Sequence, residues 1–275
     1  MKTINFILLP AFLLTSTPLF AANPNKENTL SLGLGFGENS RQDLTFSPFV
    51  HHDFSLLNGA FDYSRNGRFF QQVIIGVATF DPMLQEPYNY SEHGEVKTAA
   101  PHYFLYFDLD YLFGKKVKEK GKTDLTLGGM FNTNTQSLNY VYGRIGSFGY
   151  FSAINLGVFG KLDFSPDDKN GFSLKLQLPA VSWLARSPYL VNDDEFIENI
   201  SSHSGLKTFF AFIKDGNPAT WDTVQQFDFE LKYLFHFLPK WGIGIAGRYE
   251  FIHFQEPRNL ISNRSTLNIS ATFKF

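Results

Sequence analysis

Residues 267–275 read Leu267-Asn268-Ile269-Ser270-Ala271-Thr272-Phe273-Lys274-Phe275, and this stretch decides the fold. Apolar or aromatic side chains occupy every second position, with Asn268, Ser270, Thr272 and Lys274 between them. Successive side chains of a β-strand point to opposite faces, so a period of two predicts a strand with one oily and one wet side. The same period recurs upstream. Along 223–237, Phe227, Phe229, Leu231, Tyr233, Phe235 and Phe237 oppose Asp228, Glu230, Lys232 and His236. Along 242–254, Ile243, Ile245, Tyr249 and Phe251 oppose Arg248 and Glu250. From Tyr103, the residues Leu105, Phe107, Leu109, Tyr111 and Phe113 oppose Asp108 and Asp110.

Composition narrows what such strands can build. The chain is 17% aromatic with 32 Phe, yet its mean hydropathy is −0.15. Membrane helices require apolar runs of about 18 residues or more, and none of that length is present. A barrel in lipid reconciles abundant aromatics with modest hydropathy, because only alternate residues face the hydrocarbon. A water-soluble β-sandwich is the competing architecture, with Phe unusually frequent for that class. The formal charge of −2, or −3 once Lys2 leaves with a leader, argues against a nucleic-acid partner.

Residues 1–21 have the layout of a secretory signal peptide: Lys2, a mostly apolar stretch over 4–14, a polar break at 15–18, and small residues at Ala21 and Ala22. Cleavage is expected after Ala21, which leaves 22–275 as one exported domain. The chain contains no cysteine, which excludes a lipoprotein anchor and disulfide staples.

The final strand resembles the assembly signal of bacterial outer-membrane β-barrels, which carries a polar residue, a glycine and two apolar or aromatic residues ending at the C-terminus. The matching positions are Asn268, Ser270, Phe273 and Phe275, with Ser270 standing where the family pattern has glycine. The resemblance implies a closed antiparallel barrel in the outer membrane of a Gram-negative bacterium. Outer-membrane lipid, lipopolysaccharide and the barrel-assembly machinery are its implied partners.

Strand-like segments fall at 29–36, 43–52, 57–64, 69–80, 102–113, 124–131, 150–164, 172–178, 207–213, 223–237, 242–254 and 264–275. Bacterial barrels use an even number of strands, so twelve is the expected count and ten the alternative. Residues 238–240 read as a tight periplasmic turn, with further turns at 165–171 and 114–122. Longer connections are expected at 81–100, 132–146, 179–204 and 255–263. Twelve alternating strands do not place every long connection on the extracellular side, so one segment is in excess, and 207–213 is the first suspect.

The aromatic faces are expected to meet lipid, where Arg or Lys near the midplane costs roughly 2–4 kcal/mol. Asp108, Asp110, Lys161, Lys175, Asp228, Glu230, Lys232, Arg248 and Glu250 are then expected in the lumen. Two readings of that set compete. Mixed charges either pair across the sheet and brace the wall, or line a constriction that selects solutes. The leading functional expectation is a narrow pore or transporter for small solutes. The alternative is a structural or adhesion barrel with a plugged lumen and partner-binding surface loops.

An outer-membrane lipid hydrolase is the enzymatic alternative. Ser201 and His203 would share a strand face and Ser204 would oppose them, but no motif or orienting group surrounds them. Asp193, Asp194, Glu195 and Glu198, preceded by Arg186, form an acidic run that reads as a solvated loop rather than a cation site. His51 and His52 point to opposite sides of a strand and make no metal site. No glycine-rich phosphate loop occurs, so no cofactor is expected, and the chain is read as non-enzymatic.

Overall fold

The computed structural model describes residues 27–82, 88–99, 102–142, 145–189 and 205–275. The expected signal peptide, the acidic run at 193–198, and Ser201, His203 and Ser204 lie outside the described residues.

Ten strands form the wall: β1 (Glu27–Asp43), β2 (Val50–Asn66), β3 (Phe70–Pro82), β6 (Tyr103–Lys120), β7 (Thr123–Tyr142), β8 (Ile145–Phe164), β9 (Asn170–Arg186), β11 (Val224–His236), β12 (Trp241–Phe254) and β13 (Leu260–Lys274). Each pairs antiparallel with its neighbours, and β1 pairs with β13 from Thr29↔Lys274 to Asp43↔Leu260, which closes the ring. Among the described residues, a hairpin of β4 (Tyr88–Glu92) and β5 (Glu95–Ala99), the helix α1 (Gly205–Lys214), and β10 (Asn217–Thr220), which pairs with β9, lie outside the ring.

The ring has the smaller of the two expected strand counts, because two of the twelve segments are not wall strands. Residues 43–52 span a corner. Asp43 ends β1, its carbonyl accepts from the Phe46 and Ser47 amides, and β2 begins at Val50. Residues 207–213 are helical and belong to α1. A short apolar run carries no period that separates the two states. With both removed, sidedness resolves. The termini meet at one end, where the Asn28 amide donates to Phe275 O at 3.2 Å. The connections 67–69, 121–122, 165–169 and 237–240 lie at that end, while β3 and β9 end at the other, where the two longest connections begin. Short turns mark the periplasmic rim and long loops the extracellular one. The expected connection at 132–146 is mostly strand. There β7 alternates Asn132, Asn134 and Gln136 inward with Thr133, Thr135 and Ser137 outward, so no apolar face advertises it.

The opening stretch shows which side is which. Ile269 is 61% exposed on the perimeter, whereas Thr272 on the opposite face is 1% exposed inside the ring. Leu32, Leu34, Leu156, Val158, Leu231, Ile243 and Ile245 extend the exposed apolar belt around the wall. Towards the periplasmic rim the perimeter turns aromatic: Trp241 packs on Phe273, Phe273 stacks on Phe275, and Phe172 touches Phe164 and Tyr233. Aromatic rings prefer this boundary, where an apolar body meets lipid while a polar edge reaches water.

Glycine is required where the lumen is crowded. Gly114 faces Gly128 across the β6–β7 ladder, and a Cβ on either would come within 2.8 Å of the Phe159 ring. That gap lets Phe159 pack with Phe70, Leu112 and Met130 inside the wall.

Candidate functional site

The lumen holds the candidate site, and it is filled in two layers. Towards the extracellular end, inward positions of β3, β6, β7 and β8 supply Phe80, Phe104, Leu138, Tyr140 and Phe151, all at most 1% exposed. Tyr106 closes the underside of this layer, its ring edge-on to Phe80 at 5.0 Å. Beneath it the inward positions turn polar and charged.

Two guanidiniums organise the polar layer. Arg248 lies 3.2 Å from Asp110, 2.9 Å from Asp228 and 3.0 Å from Glu250. Arg264 bridges Asp108 at 2.6 Å and also donates to Glu250. Its guanidinium sits over the Tyr106 ring, 4.8 Å from the centroid, so the two layers are joined. Four carboxylates thus converge on two arginines from β6, β11, β12 and β13. An amide ladder extends the network, although among the described residues Asp228 Oδ1 and Arg248 Nε stay without a hydrogen-bond partner. Asn134 donates to Asp108 at 2.6 Å, Gln136 to Asn134 at 2.6 Å, and Asn155 to Asn132 at 2.6 Å and Gln226 at 3.1 Å. Buried charges are costly unless paired, and here every carboxylate of the network meets an arginine, across opposite walls.

Of the sequence-predicted residues, Asp108, Asp110, Asp228, Arg248 and Glu250 form this network. Lys175 and Glu230 pair one layer lower at 3.1 Å. Lys232 reaches across the ring to Asp62 at 3.2 Å, and Lys161 pairs with Asp163 at 2.9 Å. These lower groups surround an open vestibule of about 240 Å³ at the periplasmic mouth. The vestibule ends at the network. Between Tyr106, Asn134, Glu250 and Arg264 the free space is about 10 Å³, the lower limit for one water molecule.

Sequence reading missed Arg264, the second hub. It lies at the start of a segment whose polar face reads as small uncharged residues until Lys274 at its end. It also missed a group beneath the extracellular rim. Arg41 donates to Gln136 at 2.6 Å, to Tyr140 at 3.3 Å and to Asp43 at 2.9 Å. Arg186 joins the same Asp43 and donates to the Glu256 and Arg258 carbonyls at 2.7 Å, tying β9 to the β12–β13 loop. Asp53 lies 2.7 Å from His102 Nε2, and the His51 ring stands edge-on to His102 at 4.7 Å. Both members of the His102–Asp53 pair are buried. The pair spans β2 and the start of β6, so no local spacing announces it. Among the described residues no group of three metal-ligating side chains converges.

The four positions of the expected assembly signal occupy both faces of β13. Ser270 points inward between Gly33 and Gly244, and a Cβ on Gly244 would lie 2.6 Å from its hydroxyl. Neighbouring glycines therefore accommodate serine at the position where the family pattern has glycine. Asn268 pairs with Gly35 and Ala246, while Phe273 and Phe275 join the aromatic rim.

No protein-family model matches the chain, and no curated protein sequence is similar to it. Solved structures are similar in fold. The outer membrane protease OmpT of Escherichia coli superposes with a TM-score of 0.53 at 6% identity, over 92% of this chain and 98% of that one. Neisserial surface protein A gives 0.36 at 8%, over 90% and 97%. The toluene transporter TodX of P. putida gives 0.34 at 9%, over 92% and 90%. The likeness to OmpT is one of fold: the chain has the architecture of a bacterial outer-membrane β-barrel, and its apolar perimeter suits it to that membrane.

Proposed function

We propose that this barrel is a sealed, non-enzymatic scaffold whose extracellular end, rather than its lumen, does the work. It holds the β4–β5 hairpin in place to bind a partner at the cell surface. The observation that carries this reading is the filling of the lumen by buried, paired side chains: Asp108, Asp110, Gln136, Gln177, Asp228 and Arg264 are all at most 6% exposed. Even a potassium ion stripped of most of its water would have to displace paired charges to pass. The aromatic layer above adds a second barrier, its rings packed around the buried Arg41 guanidinium, whose positive charge also opposes a cation. The solute-pore reading, which the sequence favours, would need the buried pairs of Arg248 and Arg264 to move aside. The rigid filling also supports a scaffold role, because paired charges reaching across the ring lock opposite walls together.

The test is single-channel recording in planar bilayers with the full-length protein. The expected result is a quiet membrane across physiological voltages. Steady conductance steps from the wild type would overturn the reading and restore the pore.

A further inference from the structure

We propose that α1 is an interfacial anchor that seats the extracellular rim in the outer leaflet, its outer face meeting the net-anionic lipid phosphates there. Three observations place it. First, α1 packs on the outside of the wall. Phe212 stacks on Tyr150 with centroids 3.8 Å apart and planes inclined by 13°, and Trp183 Nε1 donates to Ile213 O at 2.7 Å. Ser152 and Ala185, on the outward faces of β8 and β9, are only 4% and 1% exposed although no strand covers them, which fits a helix lying across that face. Second, the height is that of the membrane boundary. Trp183 continues upward from Val181 on β9, beside Leu156 and Val158 on β8, all exposed members of the apolar belt. Trp and Tyr are the residues that mark such a boundary.

Third, the face turned away from the wall has matching chemistry. Residues at i, i+3 and i+7 share one side of a helix, so Lys207, Phe210 and Lys214 line up opposite Phe212. Phe210 is 64% exposed and both lysines are exposed. An aromatic ring between two lysines suits a leaflet whose acyl chains begin just below its phosphates. The ring enters the hydrocarbon edge while the lysine stems bend so that the ammonium groups meet phosphate oxygens. A basic residue near an anionic membrane surface contributes in the same direction. A water-exposed helix would gain nothing from presenting Phe210, and continuity with the belt selects lipid over a protein partner.

The chain has no cysteine, so single labels can be placed without a special background. Phe210→Cys carries a nitroxide in the full-length protein, refolded into vesicles of phosphatidylcholine containing lipopolysaccharide. Ile269→Cys in the belt is the lipid reference, and Val96→Cys in the β4–β5 hairpin, 76% exposed, is the water reference. The expected label at 210 meets oxygen more readily than a water-soluble nickel chelate, as at 269. Adding Lys207→Gln and Lys214→Gln is expected to raise its nickel accessibility in these vesicles, but not in vesicles of phosphatidylcholine alone. A label at 210 as open to nickel as that at 96 overturns the proposal, because the helix then lies in water. So does a label shielded from both reagents, which would mean a protein cover. Indifference to the lysine changes in lipopolysaccharide vesicles overturns the choice of a net-anionic lipid. Heat-modifiable migration on gels verifies folding of each variant.

Discussion

Replacing Arg264 by Met removes one of the two hubs of the lumen while keeping much of its length and packing volume. Arg264 is 5% exposed and carries the charge that balances Asp108 at 2.6 Å and shares Glu250 with Arg248. Stranding buried acids in this way costs about 3–5 kcal/mol. Loss of the cation over Tyr106 adds roughly 0.5–2 kcal/mol, and the better-buried methionine stem returns part of it, leaving a net of about 4 kcal/mol. With a urea dependence near 3 kcal/mol per molar, the unfolding midpoint falls by about 1.3 M. The assay is reversible urea unfolding in lipid vesicles, followed by tryptophan emission. Adding Asp108→Asn and Glu250→Gln to Arg264→Met neutralises the stranded acids and is expected to recover more than half of the loss. A midpoint shift below roughly 0.3 M, or a triple variant no more stable than the single one, would refute the reasoning. Either result would mean that water already solvates these groups and that the lumen is wet.

Two further outcomes follow from features outside the network. Gly128→Ala forces a methyl against the Phe113 carbonyl and Gly114 Cα as well as Phe159, and is expected to destabilise by roughly 1–3 kcal/mol in the same urea assay, with little of the loss recovered by adding Phe159→Leu because the backbone contacts remain. In the turn after β8, Asp167 accepts hydrogen bonds from the Lys169 and Asn170 amides and the Asn170 side chain, which hold its carboxyl below the ordinary range. Its native pKa is lower than its unfolded one, so its contribution is complete above an ordinary carboxylate pKa of about 3.9 and fades as pH falls through the native value. Stability of the wild type relative to Asp167→Asn is therefore expected to be flat at neutral pH and to shrink only at the acid end.

The faces of the wall were legible because the two solvents of a barrel impose opposite demands on neighbouring residues. Leu231 against Glu230, or Ile245 against Arg248, can be sorted from sequence alone. The network was half legible. Asp108, Asp228 and Glu250 stand out as charges on oily strands, whereas Arg264 follows Asn263 and Ser262, where neither face is apolar. What failed did so where lipid stops being one of the solvents. The upper half of β7, with Asn134 and Gln136 inside and Thr133 and Thr135 outside, lacks contrast between faces. The corner at 44–49 is apolar enough, through Leu44, Phe46 and Phe49, to pass for wall. The β4–β5 hairpin turns on His93 and Gly94, with φ of 53° and 83°, a pairing of positive angles that suits a two-residue hairpin. His-Gly is a weaker advertisement of that turn than Asn-Gly, and the segment reads as plain loop. Contacts such as His102–Asp53 join residues far apart in the chain, and only the closed ring brings them together.

The ladder between β9 and β11 runs only from Gln177↔Asp228 to Asn170↔Phe235, eight pairs, because above Leu178 the chain offers Pro179 and β9 takes β10 as its neighbour. The seam where the ring closes has fifteen pairs, and β7–β8 has twenty. A hoop under tension parts at its thinnest rivet line. Pulled from the bilayer by a tethered tip, this one should open first between β9 and β11, giving way as a ribbon that begins with the three C-terminal strands.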